Sequence, residues 1–180
     1  IESLLEQGAL YSTYYEDILY IYPPEMYVSE VEGVHYTREF LLEADPIALD
    51  IPSFIERFEQ DNHITFGDAQ KEAIQLSFFE KFSLITGGPG TGKTTIIKAL
   101  VKGFQLGGLG RIILCAPTGR AAKRLTEATE FEATTIHRLL VPVQGSDSYD
   151  FTKNEDDPLD IDVIIIDEAS MLNVRLFYSL

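Results

Sequence analysis

One stretch of the sequence combines glycines, a lysine and threonines in an order that could bind phosphate. Residues 87–95 read GGPGTGKTT, between a short apolar run at 83–85 and apolar residues that recur at helical spacing. Glycines let the backbone turn so that successive N–H groups point at one anion, and the start of a helix adds partial positive charge. The pattern GxxxxGK[ST] between a strand and a helix therefore predicts a nucleoside triphosphate site, with an ordinary glycine-rich turn as the alternative.

Side chains of this loop have separate expected roles. We expect the Lys93 ammonium to reach the β- and γ-phosphates and the Thr94 hydroxyl to ligate Mg²⁺. The expected cofactors are thus ATP and Mg²⁺. The residues of this stretch expected to bind the nucleotide are Gly88, Pro89, Gly90, Thr91, Gly92, Lys93, Thr94 and Thr95.

Two acidic residues, Asp167 and Glu168, directly follow the apolar run at 163–166. Ligands of parallel α/β sheets lie at the carboxyl ends of the strands, so this pair is expected beside the phosphate loop. We expect Asp167 to hold Mg²⁺ through water and Glu168 to orient and deprotonate the attacking water. With Lys93, they are the candidate catalytic residues. The alternative is an acidic N-cap for a helix that contains residues 171–172.

A basic cluster follows a third apolar run, at 111–116. Arg120, Lys123 and Arg124 come after a turn at residues 117–119. A threonine hydroxyl, turn amides and a helix start can together hold a phosphodiester. The alternative is the solvated face of a surface helix.

The apolar runs predict strands at 83–85, 111–116 and 162–167, the last one covered on both faces because its apolar residues are continuous. Helical patterns alternate with these strands, so we predict an α/β fold with a parallel sheet. A helix is expected from the phosphate loop to about residue 105, and a short one over 134–140 capped by Thr134 or Thr135.

Residues 1–60 are expected to be the end of a preceding, mainly helical accessory domain. Their tyrosine-rich start predicts a strand at 17–22 that pairs with a neighbour elsewhere, its aromatics explained by core packing more simply than by base stacking. Helices are predicted from Pro24 to about residue 43 and from a Ser53 cap, and a capping box is predicted at 65–68. Residues 61–180 are expected to be the N-terminal part of an ATP-binding lobe, with a polar insert at about 142–158.

The formal net charge of −15 is unevenly spread. Eight of the 14 lysines and arginines, but only three acids, lie in residues 83–143, so the net charge does not exclude a polyanion partner. No apolar run is long enough to cross a membrane, and no signal-peptide pattern is visible. The single Cys115 is typical of a reducing compartment and of a buried, inert thiol. We therefore expect a cytoplasmic protein with no membrane contact.

The ordered series ITGGPGTGKTT, APTGRAAKRL, TTIHRLL and DVIIIDEASM resembles the superfamily-one DNA helicases, in particular their RecD-like branch, similar to the exodeoxyribonuclease V alpha subunit. The resemblance implies a RecA-like P-loop NTPase lobe that drives 5′ to 3′ translocation on single-stranded DNA, in recombination or repair. It maps Gln70 onto the glutamine that reads the adenine edge. It implies nucleic-acid binding by Pro117, Thr118, Gly119, Arg120, Thr135, His137 and Arg138. From the residues alone, a packing role explains His137 more simply.

The family's later motifs do not appear in these residues. The resemblance implies a further first-lobe motif, a second motor lobe with an arginine finger, and exonuclease partner subunits. We therefore expect an N-terminal motor-lobe fragment that binds nucleotide but does not unwind DNA by itself. In this family the strand after the acidic pair inserts between the two strands that carry the nucleotide motifs, so a gap in the sheet is expected. Two other functions fit the phosphate loop: an ATPase acting on RNA or protein, and a nucleotide-binding switch without motor activity.

Overall fold

The computed structural model describes residues 1–42, 47–145 and 149–180. The helices are α1 (Glu2–Glu6), α2 (Pro24–Leu42), α3 (Ile51–Asn62), α4 (Asp68–Phe79), α5 (Lys93–Leu106), α6 (Gly119–Thr129), α7 (Ile136–Leu140) and α8 (Val174–Tyr178). The strands are β1 (Tyr11–Tyr15), β2 (Ile18–Tyr22), β3 (Ile112–Ala116), β4 (Ala133–Thr135) and β5 (Val163–Ile166). A 3₁₀ helix at Ala169–Met171 lies between β5 and α8.

Strand β3 is the centre of a three-stranded sheet with the order β4-β3-β5, and both pairings are parallel. Helix α6 connects β3 to β4, as a crossover between parallel strands requires. The predicted α/β class with a parallel sheet is therefore confirmed. The three-stranded sheet and its helices form a partial RecA-like P-loop lobe.

Strand β4 was not predicted, because residue 134 was expected inside a helix. Thr134 instead pairs with Cys115, and the helix starts two residues later. The predicted cap does hold for Thr135, whose hydroxyl accepts from the backbone N–H of Arg138 at 3.2 Å. A strand of three residues has too little periodicity to be recognised in the sequence, since its pairing with β3 defines it.

The predicted strand at 83–85 is wrong, because these residues pair with no strand in the described part of the chain. A strand exists only with a neighbour, and β5 pairs with β3 alone among the described strands. Leu84 is 71% exposed, while Ile85 and Ile165 pack against the same core cluster. The open edge also explains why β5 is half-buried throughout rather than covered on both faces. The gap expected in the sheet stays a prediction.

The largest core cluster joins α3, α4 and α5. The ring of Phe78 lies edge-on to that of Phe104, with centroids 4.9 Å apart, and to that of Phe54 at 5.8 Å. Helix α3 contributes four buried residues to this cluster, so α3 packs with the phosphate-loop lobe. The boundary proposed after residue 60 falls inside α3. These contacts favour a boundary before Ile51, which stays a proposal. The buried members are Ile51, Phe54, Ile55, Phe58, Phe66, Ile74, Phe78, Ile96, Ala99, Leu100 and Phe104.

Gly103 of α5 lies where the ring of Phe78 crosses the helix, and a Cβ at this position would overlap that ring. We expect Gly103→Ala to lower the free energy of unfolding by about 1–3 kcal/mol, despite the better helix propensity of alanine. Urea unfolding followed by circular dichroism measures this change. Adding Phe78→Leu should recover part of the loss by making room, whereas Gly110→Ala, where a Cβ meets nothing within 4 Å, should be neutral. Equal effects of the two glycine substitutions would contradict the packing argument.

Two helix starts differ from prediction. The carboxylate of Asp50 caps α3, accepting from the Ser53 backbone N–H at 3.4 Å and from its hydroxyl at 2.6 Å, so Ser53 is not the cap. Helix α4 has Gly67 as its cap residue, and the Gly67 N–H donates to Gln70 Oε1 at 2.8 Å. The capping box predicted at 65–68 is therefore wrong, because the helix starts later than that pattern requires.

Strands β1 and β2 form an antiparallel hairpin, so the neighbour of β2 is the segment directly before it. Glu16 and Asp17 make the turn with φ of 48° and 62°, which matches the twist of a two-residue hairpin. Tyr11 stacks on Tyr27 of α2, with ring centroids 4.7 Å apart. Tyr14 is 72% exposed, so core packing does not explain the tyrosines of the hairpin tip.

An ion pair fastens the amino ends of β3 and β5. Arg111 Nε and Nη2 donate to Asp162 Oδ1 at 3.1 and 2.6 Å, and the backbone N–H groups of Gly110 and Arg111 donate to Oδ2. These hydrogen bonds lower the pKa of Asp162 to about 2. Within β3, burial raises the pKa of the Cys115 thiol to about 12, in agreement with the inert thiol that was expected.

Among the described residues, no helix has both the length and the apolar character needed to cross a membrane.

Candidate nucleotide site and sheet edge

The turn at residues 87–92 depends on its glycines. Gly90 and Gly92 have φ of 75° and 82°, which favours glycine. A Cβ on Gly92 would lie 2.5 Å from Gln70 Nε2, and a Cβ on Gly87 would lie 2.7 Å from Thr91 Oγ1. The Thr91 hydroxyl donates to the carbonyl oxygen of Gly88 at 2.9 Å, so the loop is also fastened across itself.

Lys93, the first residue of α5, folds its side chain back over this loop. Its Nζ donates to the carbonyl oxygens of Gly87 and Gly88 at 2.6 and 2.8 Å. The ammonium therefore lies at the mouth of the loop, where a phosphate oxygen could replace a carbonyl as its acceptor. A Cβ on Gly88 or Gly90 would have no neighbour within 4 Å, so this part of the loop is open. Thr94 and Thr95 lie half-buried in the first turn of α5.

Gln70 is the residue outside the loop that contacts it most directly. From α4, its Nε2 donates to the Thr91 carbonyl oxygen at 2.9 Å while its Oε1 accepts from Gly67. An amide can make further hydrogen bonds, so one N–H and one lone pair are left for another partner. Contact with an adenine edge stays a prediction, but Gln70 lies beside the loop as that role requires.

The acidic pair ends β5. The Asp167 N–H donates to the Cys115 carbonyl oxygen at 2.9 Å, which extends the ladder with β3 by one step. Glu168 has a left-handed φ of 57°, and its carboxylate makes no cap hydrogen bond to the 3₁₀ helix that follows. The N-cap alternative is therefore not supported. The helix over 171–172 that it assumed is not observed either, because the 3₁₀ helix ends at Met171.

The chemistry of the donors fits magnesium better than a metal bound by protein alone. Among the described residues, no group of three or more His, Cys, Asp and Glu side chains could hold a metal ion. Mg²⁺ needs few protein ligands when phosphates and waters supply the rest. A hydroxyl from Thr94 and a carboxylate from Asp167 are ligands of the kind that Mg²⁺ prefers, so both remain proposed ligands.

Three strand ends meet at one edge of the sheet. Ala116 at the end of β3 is opposite Thr135 at the end of β4, and Cys115 is opposite Ile166 at the end of β5. The segments that follow these strands therefore leave the sheet side by side. In spatial order they are residues 135–138, residues 117–120, and the acidic pair. The basic turn, residues 135–138 and the acidic pair thus share one edge, whereas the segment before the phosphate loop pairs with no described strand.

The basic turn after β3 is exposed. Thr118 caps α6 by accepting from the Ala121 N–H at 3.2 Å, which leaves its hydroxyl hydrogen available to a phosphodiester oxygen. Gly119 and Arg120 are exposed, and Pro117 is half-buried. Lys123 makes an exposed ion pair with Glu127 at 3.8 Å. This exposure agrees both with a DNA contact and with a solvated helix face.

His137 and Arg138 follow Thr135 and differ in environment. Arg138 is exposed, whereas His137 is half-buried against two aromatic rings. Its ring centroid lies 5.7 Å from that of Phe151 and 6.4 Å from that of Tyr149. The packing role expected from the residues alone accounts for His137. Tyr149 and Phe151 are isolated aromatic residues in a polar segment, so the sequence gives no indication of what they contact.

Known proteins resemble this chain over more than half of its length. A family model described as an AAA domain matches residues 70–180. An ATP-dependent RecD2 DNA helicase of Deinococcus radiodurans is 45% identical over 97 residues, which cover 54% of this chain and 13% of that protein. A RecBCD enzyme subunit RecD of Mycolicibacterium smegmatis is 36% identical over 135 residues, covering 63% of this chain and 24% of that protein. The RecD subunit of the RecBCD enzyme of Haemophilus influenzae is 36% identical over 138 residues, covering 63% of this chain and 21% of that protein.

The chain thus spans less than a quarter of the length of each of these relatives. The AAA domain match nevertheless covers more than half of the chain, including Gln70, the phosphate loop, the basic turn and the acidic pair. The relatives are of the kind that the motif series resembles. The chain therefore belongs to the AAA domain family, in the RecD-like branch of the superfamily-one helicases.

Proposed function

We propose that this chain provides the ATP-binding face of a DNA helicase that translocates 5′ to 3′ on single-stranded DNA. The observation that carries the proposal is the shared sheet edge. The acidic pair and the basic turn at residues 117–120 leave adjacent strands there, and their strands pair at Cys115 and Ile166. Such an edge puts a segment proposed for ATP chemistry next to a segment proposed to contact a nucleic-acid backbone.

Bound MgATP would supply the phosphoanhydride bond that is cleaved and the metal charge that stabilises the phosphates. In this proposal, Lys93 exchanges its carbonyl acceptors for phosphate oxygens, and the loop N–H groups hold the same phosphates. The Thr94 hydroxyl and the Asp167 carboxylate would hold the metal, the latter through water. Glu168 orients the attacking water and accepts its proton, for which its carboxylate is exposed and not engaged in a cap.

On the DNA side, Thr118 donates its hydroxyl hydrogen to a phosphodiester oxygen, and Arg120 pairs with the same backbone. Residues 135–138 extend this contact along the edge. We also propose a role in recombination or repair. Similarity to a RecBCD enzyme subunit supports membership of a complex with partner subunits. In this proposal, DNA unwinding also requires the second motor lobe with its arginine. The proposed location is cytoplasmic.

The test is ATP hydrolysis by the full-length gene product with single-stranded DNA, duplex DNA or RNA. We expect single-stranded DNA to stimulate hydrolysis most. Arg120→Ala should raise the DNA concentration needed for half-maximal stimulation about tenfold and flatten its salt dependence, because one phosphate contact is lost. Arg57→Ala, an exposed arginine of α3 away from this edge, is the matched control. Stimulation by RNA instead, or hydrolysis indifferent to any nucleic acid, would favour the other two functions.

A further inference from the structure

Helix α8 follows the acidic pair with only the 3₁₀ helix between them, so whatever holds α8 also holds the chain behind Asp167 and Glu168. Asn173 caps α8, with its Oδ1 accepting from the Leu176 N–H at 2.9 Å. The same side chain uses its Nδ2 to donate to the Tyr149 hydroxyl at 2.5 Å. One residue thus fixes both the start of α8 and a residue of the polar segment at 142–158.

Arg175 makes a second connection from α8 to the same tyrosine. Its guanidinium carbon lies 4.4 Å from the centroid of the Tyr149 ring, a cation–π contact. Its Nη1 also pairs with Glu25 Oε2 of α2 at 3.0 Å, and only 21% of the Arg175 side chain is exposed. Arg175 therefore connects α8 both to α2 and to Tyr149.

Tyr149 also contacts the segment that follows β4, which is proposed to bind DNA. The His137 ring lies 6.4 Å from the Tyr149 ring and 5.7 Å from that of Phe151, which is 8% exposed and forms a bridge with Pro142. His137 lies between Thr135 and Arg138, in the first turn of α7 directly after β4. A continuous set of side-chain contacts thus runs from residues 135–138, through Tyr149, to Asn173 and Arg175.

We propose that Tyr149 and Arg175 are positioning residues that couple the DNA-contacting edge to the acidic pair. A shift of His137 when DNA binds the edge would move Tyr149, and its hydroxyl and ring would move α8 and the segment that ends at Glu168. Both residues act through others and touch neither nucleotide nor DNA. This inference rests on the proposed function, because it assumes that DNA and ATP act on the two ends of the contact set.

The experiment uses the full-length gene product and measures ATP hydrolysis with and without single-stranded DNA, well below the unfolding temperature. Tyr149→Leu and Arg175→Gln should each leave the rate without DNA within about twofold and reduce the stimulated rate about threefold or more. Tyr149→Phe keeps the ring under Arg175 and should have a smaller effect. Asn173→Ser keeps a capping side chain, but serine is too short to reach Tyr149. Asn173→Ser and Tyr149→Phe therefore remove the same hydrogen bond, and the double variant should lose no more of the DNA-stimulated rate than either single variant. Tyr14→Leu in the exposed hairpin is the control.

Each result decides between coupling and a purely structural role. Equal losses of the stimulated and unstimulated rates would mean that these residues only support the fold, and would overturn the inference. Variants that respond to DNA as the wild type does would overturn it as well, with the proposed function intact. A wild type that hydrolyses ATP with no response to DNA would overturn the proposed function and this inference together. Tyr149→Phe keeps the test decisive if Tyr149→Leu does not fold.

Discussion

Replacing Glu168 with glutamine is expected to slow ATP hydrolysis by about 10²–10⁴-fold, the usual contribution of a positioned general base. Glutamine has nearly the same shape and keeps a carbonyl oxygen, but it cannot accept the proton of the attacking water. Because the Glu168 carboxylate caps no helix, the substitution removes no cap hydrogen bond. Nucleotide affinity should stay within about twofold, since this residue acts on water rather than on the bound ground state.

The measurements are single-turnover hydrolysis and nucleotide titration on the full-length gene product. Glu127→Gln is a matched control, because Glu127 is an exposed glutamate of α6 that pairs with Lys123 on the protein surface. A Glu168→Gln variant that hydrolyses ATP at the wild-type rate would rule out the proposed role. In that case Asp167 would be the next candidate base.

Replacing Lys93 with alanine is expected to weaken binding of MgATP by about 10- to 100-fold, because the substitution removes a charged hydrogen-bond donor that is proposed to contact the phosphates. The change also removes the two hydrogen bonds from Nζ to the Gly87 and Gly88 carbonyl oxygens. The loop should keep its shape, since Thr91 and Gln70 fasten it independently.

Fluorescent-nucleotide titration measures the affinity, and thermal unfolding checks that the fold is retained. Lys98→Ala provides the comparison, because Lys98 lies on the same helix but pairs with Glu130 at 3.6 Å, away from the loop. If both lysine variants bind nucleotide equally well, the loop does not hold phosphate in the proposed manner.

Local features of the fold could be predicted from the sequence. Helix α5 was expected to end at about residue 105 and ends at Leu106, because the glycines after it, with Gly108 at a φ of 92°, stop the helix. Strand β3 was predicted within one residue of its observed start. In both cases the signal is contained in the residues of the element itself. The phosphate loop and the acidic pair were identified for the same reason.

Features that depend on distant neighbours could not be predicted. Strand β4 exists because Thr134 pairs with Cys115, and residues 83–85 form no strand because no described neighbour pairs with them. The cap of α3 could not be predicted for a different, local reason. Asp50 and Ser53 are both good cap residues, and only the backbone geometry decides that Asp50 is the cap. The contacts of Tyr149 with Asn173 and Arg175 connect segments about 25 residues apart, for which spacing offers no pattern.

The unpaired segment at 83–86 also has a consequence for local stability. Its N–H groups join no strand ladder in the described part of the chain, while the N–H groups of β3 are shared with two neighbours. Amide hydrogen exchange should therefore be fast directly before the phosphate loop and slow in β3, because exchange follows local opening. The loop is thus anchored firmly by α5 on one side and loosely on the other. A pairing partner or a nucleotide that slows exchange at Ile85 would therefore stabilise the segment that leads into the phosphate loop.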